Sequence, residues 1–267
     1  RLRQIRVLER LGQQEQAYIL ASQVVEAPES DAEAQAVERA LVRLARQLGQ
    51  PQPGKAKAVA PTRLDLCLPR PDAYSVEFAV KAHLSEPEGP VHYVENSLIC
   101  SLFGLLCWEA IFAPVPGAFF HPFHTGPVDL FSADFHPRRA ELFAACLAHL
   151  DSDAYKQVIR QRYADKFGIQ SPFVFWGALD QALLEQALDC LPAAHLRAWF
   201  KRLLLDIKAN RAGMPDLIQF WPAEQRYRMI EVKGPGDRLQ DNQRRWLAFC
   251  AEHGMPVDVC YVQWADA

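Results

Sequence analysis

The sequence predicts a mostly helical α+β protein with a small mixed β-sheet. Apolar residues recur at three- and four-residue steps over most of the 267 residues, which is typical of helices. Strand-like patterns occur only late in the chain, at 216–221, 226–232 and 257–263. The helical stretch LQDNQRRWLAFCAEHG separates the last two strands, so their connection has βαβ form. We therefore expect the end of the chain to form the sheet, with one crossover helix.

Residues 1–50 predict a helical hairpin whose two arms are separated by the PES at 28–30. The stretch LERLGQQEQAYILA is typical of a tetratricopeptide-type repeat, but a single copy fits a plain helical pair equally well. The proline-rich segment PQPGKAKAVAPT, at 51–62, is the best candidate for a domain boundary. We therefore expect a helical-repeat segment and linker at 1–58 and a second domain at 59–267.

The second domain is predicted to contain further helices before the strands. VEFAVKAHL predicts a short helix, and a strongly apolar helix at about 91–113 is expected to end at Pro114 and Pro116. RRAELFAACLAHL, DAYKQVIRQRYADKFG, ALDQALLEQALDCL and AAHLRAWFKRLLLDIKAN carry the same helical pattern. These stretches make the domain helical up to the first strand at 216.

The composition is that of an ordinary globular protein without a membrane span. Hydrophobic residues make up 50% and charged residues 23%, and the longest apolar stretch is broken by Glu109. The formal net charge of −3 argues against a generally basic nucleic-acid binder, although phosphate contacts use local basic patches. The seven cysteines form no CxxC pair and indicate reduced thiols in a cytoplasmic protein. The chain begins at Arg1, which we interpret as a piece of a longer polypeptide.

Three charged residues of the late strands are the strongest candidates for chemistry. The first strand opens with Asp216, and the second ends with Glu231, Val232 and Lys233. Because strand side chains alternate between faces, Glu231 and Lys233 should project on one side while Val232 points to the other. The turn between the strands should return Asp216 beside them. Two carboxylates and an ammonium group are what hard divalent cations and phosphate esters require.

We expect each of these residues to have a separate role. Asp216 and Glu231 are candidate ligands for one or two Mg²⁺ or Mn²⁺ ions, and the backbone carbonyl of Val232 is a further hard-oxygen candidate. Lys233 is expected to orient or deprotonate the attacking water, or to stabilise the charge of the transition state. The sequence leaves these roles of Lys233 open.

GMPDL, EVKGPGDRL and the strand VDVCYV carry a resemblance to known nucleases. Together they resemble the PD-(D/E)xK pattern, the virus-type replication-repair nuclease (VRR-NUC) domain and, more narrowly, the C-terminal part of the Fanconi-associated nuclease family. The resemblance covers about 62–267. It implies a core helix at about 91–113, a helical insertion at about 114–195 and a catalytic core at about 196–267.

The same resemblance implies an activity. It predicts a metal-dependent 5′-flap endonuclease and 5′-to-3′ exonuclease that leaves 5′-phosphates, acts as a monomer on branched DNA and serves DNA repair, including interstrand crosslink repair. The expected location is the cytoplasm, at the nucleoid of a bacterium, or the nucleus of a eukaryote. Alternatives are a junction resolvase, which would act as a symmetric dimer, and an inactive DNA-binding scaffold.

Glu95 is a further candidate metal ligand. We expect it at the start of the apolar helix, where a carboxylate interacts favourably with the helix dipole, so a solvated first-turn glutamate explains it equally well. The resemblance favours a ligand, because the segment VENSLICSLFGLLCWEAIF is similar to the family helix that supplies a glutamate to the metal.

Other polar residues near the strands are candidate DNA contacts. This set comprises Lys208, Arg211, Arg238, Gln243 and Arg244. Each of them is individually also explained as an ordinary solvated residue, so the prediction concerns the cluster. We discount His121 and His124 as a zinc site, since the aromatic and proline residues around them predict a packed loop. GPGDR lacks the GK[ST] of a phosphate-binding P-loop.

Overall fold

A computed structural model describes residues 1–51, 61–70 and 75–265 of the chain. Most of the proline-rich segment predicted as a linker therefore lies outside the described residues. The chain divides into two units, Arg1–Ala58 and Val59–Ala267. No helix of the described ranges has the length and apolar character needed to cross a membrane.

The first unit contains, in its described residues 1–51, the three helices α1 (Leu2–Arg10), α2 (Gln14–Glu26) and α3 (Asp31–Leu48). The predicted single hairpin is therefore corrected, because Gly12, at a φ of 75°, lets the chain turn once more between α1 and α2. The hydroxyl of Ser30 accepts a hydrogen bond from the Glu33 N–H and caps α3. Fully buried Ala17 and Ala21 let α2 pack closely in the small core of this unit.

The second unit contains five strands and nine α-helices within its described part. The strands are β1 (Thr62–Pro69), β2 (Val91–Tyr93), β3 (Leu217–Trp221), β4 (Arg226–Lys233) and β5 (Val257–Ala265). The helices are α4 (Val76–Leu84), α5 (Leu98–Leu106), α6 (Trp108–Ile111), α7 (Ala140–Ala148), α8 (Ala154–Lys166), α9 (Gln181–Cys190), α10 (Ala193–Leu205), α11 (Ile207–Asn210) and α12 (Asp241–Glu252). Short 3₁₀ turns lie at Pro137–Arg139, His149–Asp151 and Pro222–Glu224.

The five strands form one mixed sheet in the order β1-β5-β4-β3-β2. β5 runs parallel to β1 and β4, whereas β3 is antiparallel to β4 and β2. The mixed sheet and the three late strands confirm the predicted fold class, and α12 is the predicted crossover helix. The expectation that strands occur only late is wrong. β1 is an edge strand in which only Leu68 is buried, and three-residue β2 is too short to show a period of two.

The apolar stretch at 91–113 is not one helix. It begins with β2, because its backbone pairs with β3 and the Val94 N–H extends this pairing to the Asp216 carbonyl at 2.9 Å. Asn96 then takes a left-handed φ of 54°, which separates the strand from α5. All nine residues of α5 are buried, which explains the uninterrupted apolar run. The helix breaks at Cys107 before the short α6.

Alternation along β4 assigns its side chains to two different cores. Met229 faces the large helical core, which also contains residues of α5, α10 and α12. Ile230 and Val232 face the smaller core that Val80 of α4 closes. Glu231 and Lys233 point to the same face of the sheet as Met229, so they lie on the side that packs against the large helical core.

Candidate active site

The β3–β4 hairpin places Asp216 beside the end of β4. Leu217 pairs with Ile230, so Asp216 faces Glu231 across the two strands. The hairpin closes through a 3₁₀ turn and Gln225, which has a left-handed φ of 51°. Asp216 Oδ2 accepts a hydrogen bond from the Val232 N–H at 2.8 Å. This bond fixes the carboxylate at the strand end, where the hairpin was predicted to bring it.

Glu231 and Lys233 lie together on one face, as their spacing predicted. Lys233 Nζ donates to Glu231 Oε1 at 2.5 Å. Glu231 is fully buried and Lys233 is only 7% exposed, so the pair is shielded from solvent. Glu231 Oε2 is buried without a hydrogen-bond partner among the described residues. A buried carboxylate oxygen without a partner is costly, and it calls for a cation or a proton.

The pKa values of both carboxylates reflect this burial. Desolvation raises the pKa of Glu231 to about 8, and the negative charge of Asp216 raises it further against the opposing effect of Lys233. Desolvation also raises the pKa of Asp216 to about 6, although the Val232 N–H and Lys233 favour its charged form. The two acids therefore resist simultaneous ionisation, because burial and the neighbouring negative charge both disfavour the ionised form.

The donor set fits a hard divalent cation. Asp216 and Glu231 supply carboxylate oxygens, and one oxygen of Glu231 is orphaned. Within the described ranges, however, no three histidine, cysteine or acidic side chains already converge as a metal cage. Lys233 and the Val232 N–H each occupy a carboxylate oxygen instead. Each carboxylate therefore has one oxygen engaged in a hydrogen bond, and the buried Oε2 of Glu231 has no partner among the described residues.

Glu95 lies near this pair but outside a helix. It is exposed, in the turn after β2 and three residues before α5, so the expected interaction with the helix dipole is wrong. Its Oε2 accepts from the Tyr93 hydroxyl at 2.5 Å, and its Oε1 accepts from Asn96 Nδ2 at 3.2 Å. The charge of Glu95 contributes to the raised pKa values of Asp216 and Glu231. The turn therefore brings a third carboxylate to the site.

Asn96 explains how this turn is held against the start of β3. Its Oδ1 accepts a hydrogen bond from the Met214 N–H at 3.1 Å, two residues before Asp216. The backbone pairing of Val94 with Asp216 adds a second tie. The turn that carries Glu95 is thus fixed on both sides of its own backbone, although about 120 residues separate it from Asp216.

Glu77 of α4 is a neighbour of the site that sequence reasoning missed. Its charge also raises the pKa of Asp216. A Cβ placed on Gly234 would lie 3.6 Å from Val76 Cγ1, so the first turn of α4 abuts the end of β4. An amphipathic helix with an early glutamate is common, and nothing in its local pattern indicates contact with a distant strand. Only the folded sheet shows this proximity.

The predicted DNA-binding residues differ in their environments. Lys208, Arg238 and Arg244 are exposed, whereas the Arg211 guanidinium donates to the Pro172 carbonyl at 3.1 Å. The Gln243 side chain accepts from the Gln240 N–H at 2.8 Å and forms a capping box at the start of α12. Gln243 thus caps α12, a role that its position in the first turn suits, and its expected contact with DNA stays a prediction.

The two discounted motifs lie in turns, and the loop of His121 and His124 is not packed as predicted, because Phe123 beside them is 86% exposed. The His121 and His124 rings lie 3.8 Å apart, and His121 Nδ1 accepts from the Phe123 N–H at 3.2 Å. The GPGDR turn is closed by the Asp237 carboxylate, which accepts from the Gly234 N–H at 3.0 Å.

Comparisons with known proteins agree with this geometry. Residues 150–264 match the model of the VRR-NUC domain, a range that contains Asp216, Glu231 and Lys233 but not Glu95. A Fanconi-associated nuclease 1 homolog of Pseudomonas aeruginosa is 65% identical over 265 residues, which is 99% of this chain and 47% of that protein. Human Fanconi-associated nuclease 1 is 32% identical over 176 residues, which is 63% of this chain and 17% of that protein.

A solved structure shows the same fold over the whole chain. The crystal structure of paFAN1 bound to 2nt 5′-flap DNA with gap has a TM-score of 0.95 and 64% identity, covering 100% of this chain and 49% of that chain. A second structure, with 1nt 5′-flap DNA with gap, has a TM-score of 0.93. The chain thus spans about half the length of these bacterial relatives. Over nearly its whole length the chain is thus similar to about half of a Fanconi-associated nuclease 1 homolog, and its residues 150–264 match the VRR-NUC domain.

Proposed function

We propose that this chain is the catalytic part of a metal-dependent, structure-specific DNA nuclease that cleaves at 5′ flaps. The observation that carries the proposal is the buried group of Asp216, Glu231 and Lys233, in which one carboxylate oxygen has no partner. Such a group suits phosphodiester hydrolysis, because it combines cation ligands with an ammonium group in a shielded place. Nuclease activity in the named relatives supports this reading.

Asp216, Glu231 and Glu95 would hold Mg²⁺ or Mn²⁺, with the carbonyl of Val232 as a backbone candidate. When bound, the cation would neutralise charge on the scissile phosphate and lower the pKa of a coordinated water. The hydrogen bond from the Val232 N–H would keep the Asp216 carboxylate oriented while the cation binds. Because the pKa values of the two buried acids are raised, a cation that binds there would have to displace the protons they hold.

Lys233 would act on the attacking water and on the phosphoryl oxygens. Its ammonium group donates hydrogen bonds, so it can orient the water and stabilise negative charge that develops at phosphorus. Attack of the water oxygen on phosphorus would break the P–O3′ bond, and the leaving 3′ oxygen would take up a proton. The products would be a 5′-phosphate and a 3′-hydroxyl end.

The proposed substrate is branched DNA with a 5′ flap, processed by incision and by 5′-to-3′ exonuclease action. Solved relatives bound to 5′-flap DNA support this choice. Exposed Lys208, Arg238 and Arg244 are proposed to contact backbone phosphates around the site. The proposal includes a role in DNA repair, including interstrand crosslink repair, for a protein that works as a monomer at the nucleoid of a bacterium or in the nucleus of a eukaryote.

A cleavage assay on a 5′-flap duplex, labelled separately at each strand end, tests this function. The chain is compared with its Asp216→Ala variant in Mn²⁺, in Mg²⁺ and in EDTA, with a blunt duplex as a second substrate. We expect metal-dependent incision near the flap junction that is lost in the variant. Incision that persists in Asp216→Ala would refute the site. Symmetric cleavage of a four-way junction by a dimer would indicate a resolvase, and flap binding without cleavage would indicate a scaffold.

A further inference from the structure

An aromatic pair borders the proposed active site on the side of Glu95. Phe78 of α4 and Tyr93 of β2 stack with ring centroids 5.4 Å apart and planes 24° apart. Both rings remain partly exposed, Phe78 at 43% and Tyr93 at 37%. The Tyr93 hydroxyl donates to Glu95 Oε2 at 2.5 Å. The pair therefore connects α4, β2 and the carboxylate of the following turn.

Glu95 depends on such support because its side chain is exposed and is held only by hydrogen bonds from its neighbours Tyr93 and Asn96. It is exposed, whereas Asp216 and Glu231 are buried and held within the hairpin. A free glutamate side chain loses rotamer entropy when it binds a cation, and that loss weakens the bound state. The tyrosine hydroxyl restricts this freedom in advance. The stack on Phe78 in turn restricts the tyrosine ring.

We propose that Tyr93 is a positioning residue that orders Glu95 for cation binding. The inference rests on the proposed function and adds a residue that does not itself touch the metal or the DNA. Hydrogen bonds to a carboxylate ligand from a neighbouring side chain fix its orientation, and their loss commonly weakens metal affinity. Each oxygen of Glu95 keeps a lone pair for a cation, since Tyr93 and Asn96 engage different oxygens.

The substitution Tyr93→Phe isolates the hydroxyl, because it keeps the ring and its stack on Phe78. Tyr163→Phe is the matched control, since Tyr163 lies in α8 and its hydroxyl donates to the Leu179 carbonyl at 3.1 Å. Mn²⁺ binding to the chain is measured by the loss of the free-ion EPR signal, with Asp216→Ala defining the specific part. Cleavage of the 5′-flap duplex is measured across a Mn²⁺ titration in parallel.

We expect Tyr93→Phe to weaken specific Mn²⁺ binding by roughly tenfold, with cleavage recovering at saturating Mn²⁺ and with Tyr163→Phe unchanged. Unchanged Mn²⁺ binding in Tyr93→Phe would overturn the inference, as would a cleavage defect that is equal at every Mn²⁺ concentration. The proposed function itself would be refuted by a separate result, namely that the unaltered chain shows no cleavage, or no Mn²⁺ binding that depends on Asp216.

Discussion

The buried Glu231 should make the metal-free protein less stable as the pH rises. Its pKa is raised from 4.5 to about 8 in the folded protein. Below about pH 4.5 both the folded and the unfolded chain hold this proton, so the group costs nothing. Between the two pKa values the unfolded chain has released a proton that the folded chain retains. The free energy of unfolding therefore falls with rising pH and levels off above about pH 8.

The size of this effect follows from the pKa shift. Each pKa unit corresponds to about 1.4 kcal/mol, so the full shift is worth on the order of 5 kcal/mol, of which roughly 3 kcal/mol falls between pH 5 and pH 8. Glu231→Gln removes the titration and keeps the shape of the side chain. We expect the variant to lose that part of the slope, while Asp216, with a pKa of about 6, leaves a smaller one.

The assay is urea unfolding in EDTA at several pH values, followed by tryptophan fluorescence. All six tryptophans lie in the unit Val59–Ala267, so the signal reports on the unit that contains the site. Added Mn²⁺ should stabilise the unaltered chain most at high pH and should have little effect on Glu231→Gln. Equal pH slopes for the two proteins in EDTA would refute the reasoning, because Glu231 would then not carry a raised pKa.

Three further predictions concern neighbouring residues. Lys233→Met should abolish flap cleavage and, in EDTA at pH 8, destabilise the chain by about 3 kcal/mol, because Glu231 would lose its buried partner; unchanged urea midpoints would contradict this. Arg238→Ala should weaken flap binding and reduce its salt dependence by about one ion, whereas an unchanged slope in filter binding would remove Arg238 from the interface. Gln243→Ala should lower stability by about 1 kcal/mol through loss of the α12 cap, with the single-turnover cleavage rate preserved; a slower rate at full stability would instead indicate a contact with DNA.

The sequence was sufficient for the centre of the site. Glu231 and Lys233 are two residues apart in a strand, so local alternation alone places them on one face. Asp216 follows because a short turn joins its strand to theirs, and a hairpin needs no long-range information. The late strands and the crossover helix α12 were also predictable from local sequence, because each is long enough to repeat its own hydrophobic pattern, every second residue in a strand and every three to four in a helix.

The edges of the sheet were beyond local patterns. β1 exposes most of its residues and is a strand because it pairs in parallel with β5, almost 200 residues later. β2 has only three residues and precedes a long apolar run, so any sequence segment long enough to show a pattern reflects that run and not the strand. The capping role of Gln243 was not predicted, because a glutamine in the first turn of a helix suits capping as well as binding.

The sequence by itself determined which groups are proposed to perform the chemistry, because strand periodicity is a local property. The tertiary structure decided what surrounds them. Glu95 reaches the site through the pairing of its turn with the backbone at Asp216 and Met214, and Tyr93 and Glu77 arrive with β2 and α4. The tertiary structure also buries Glu231, and this burial raises the pKa of its carboxyl group. Desolvation depends on every element packed around a group, and no local stretch of sequence contains that information.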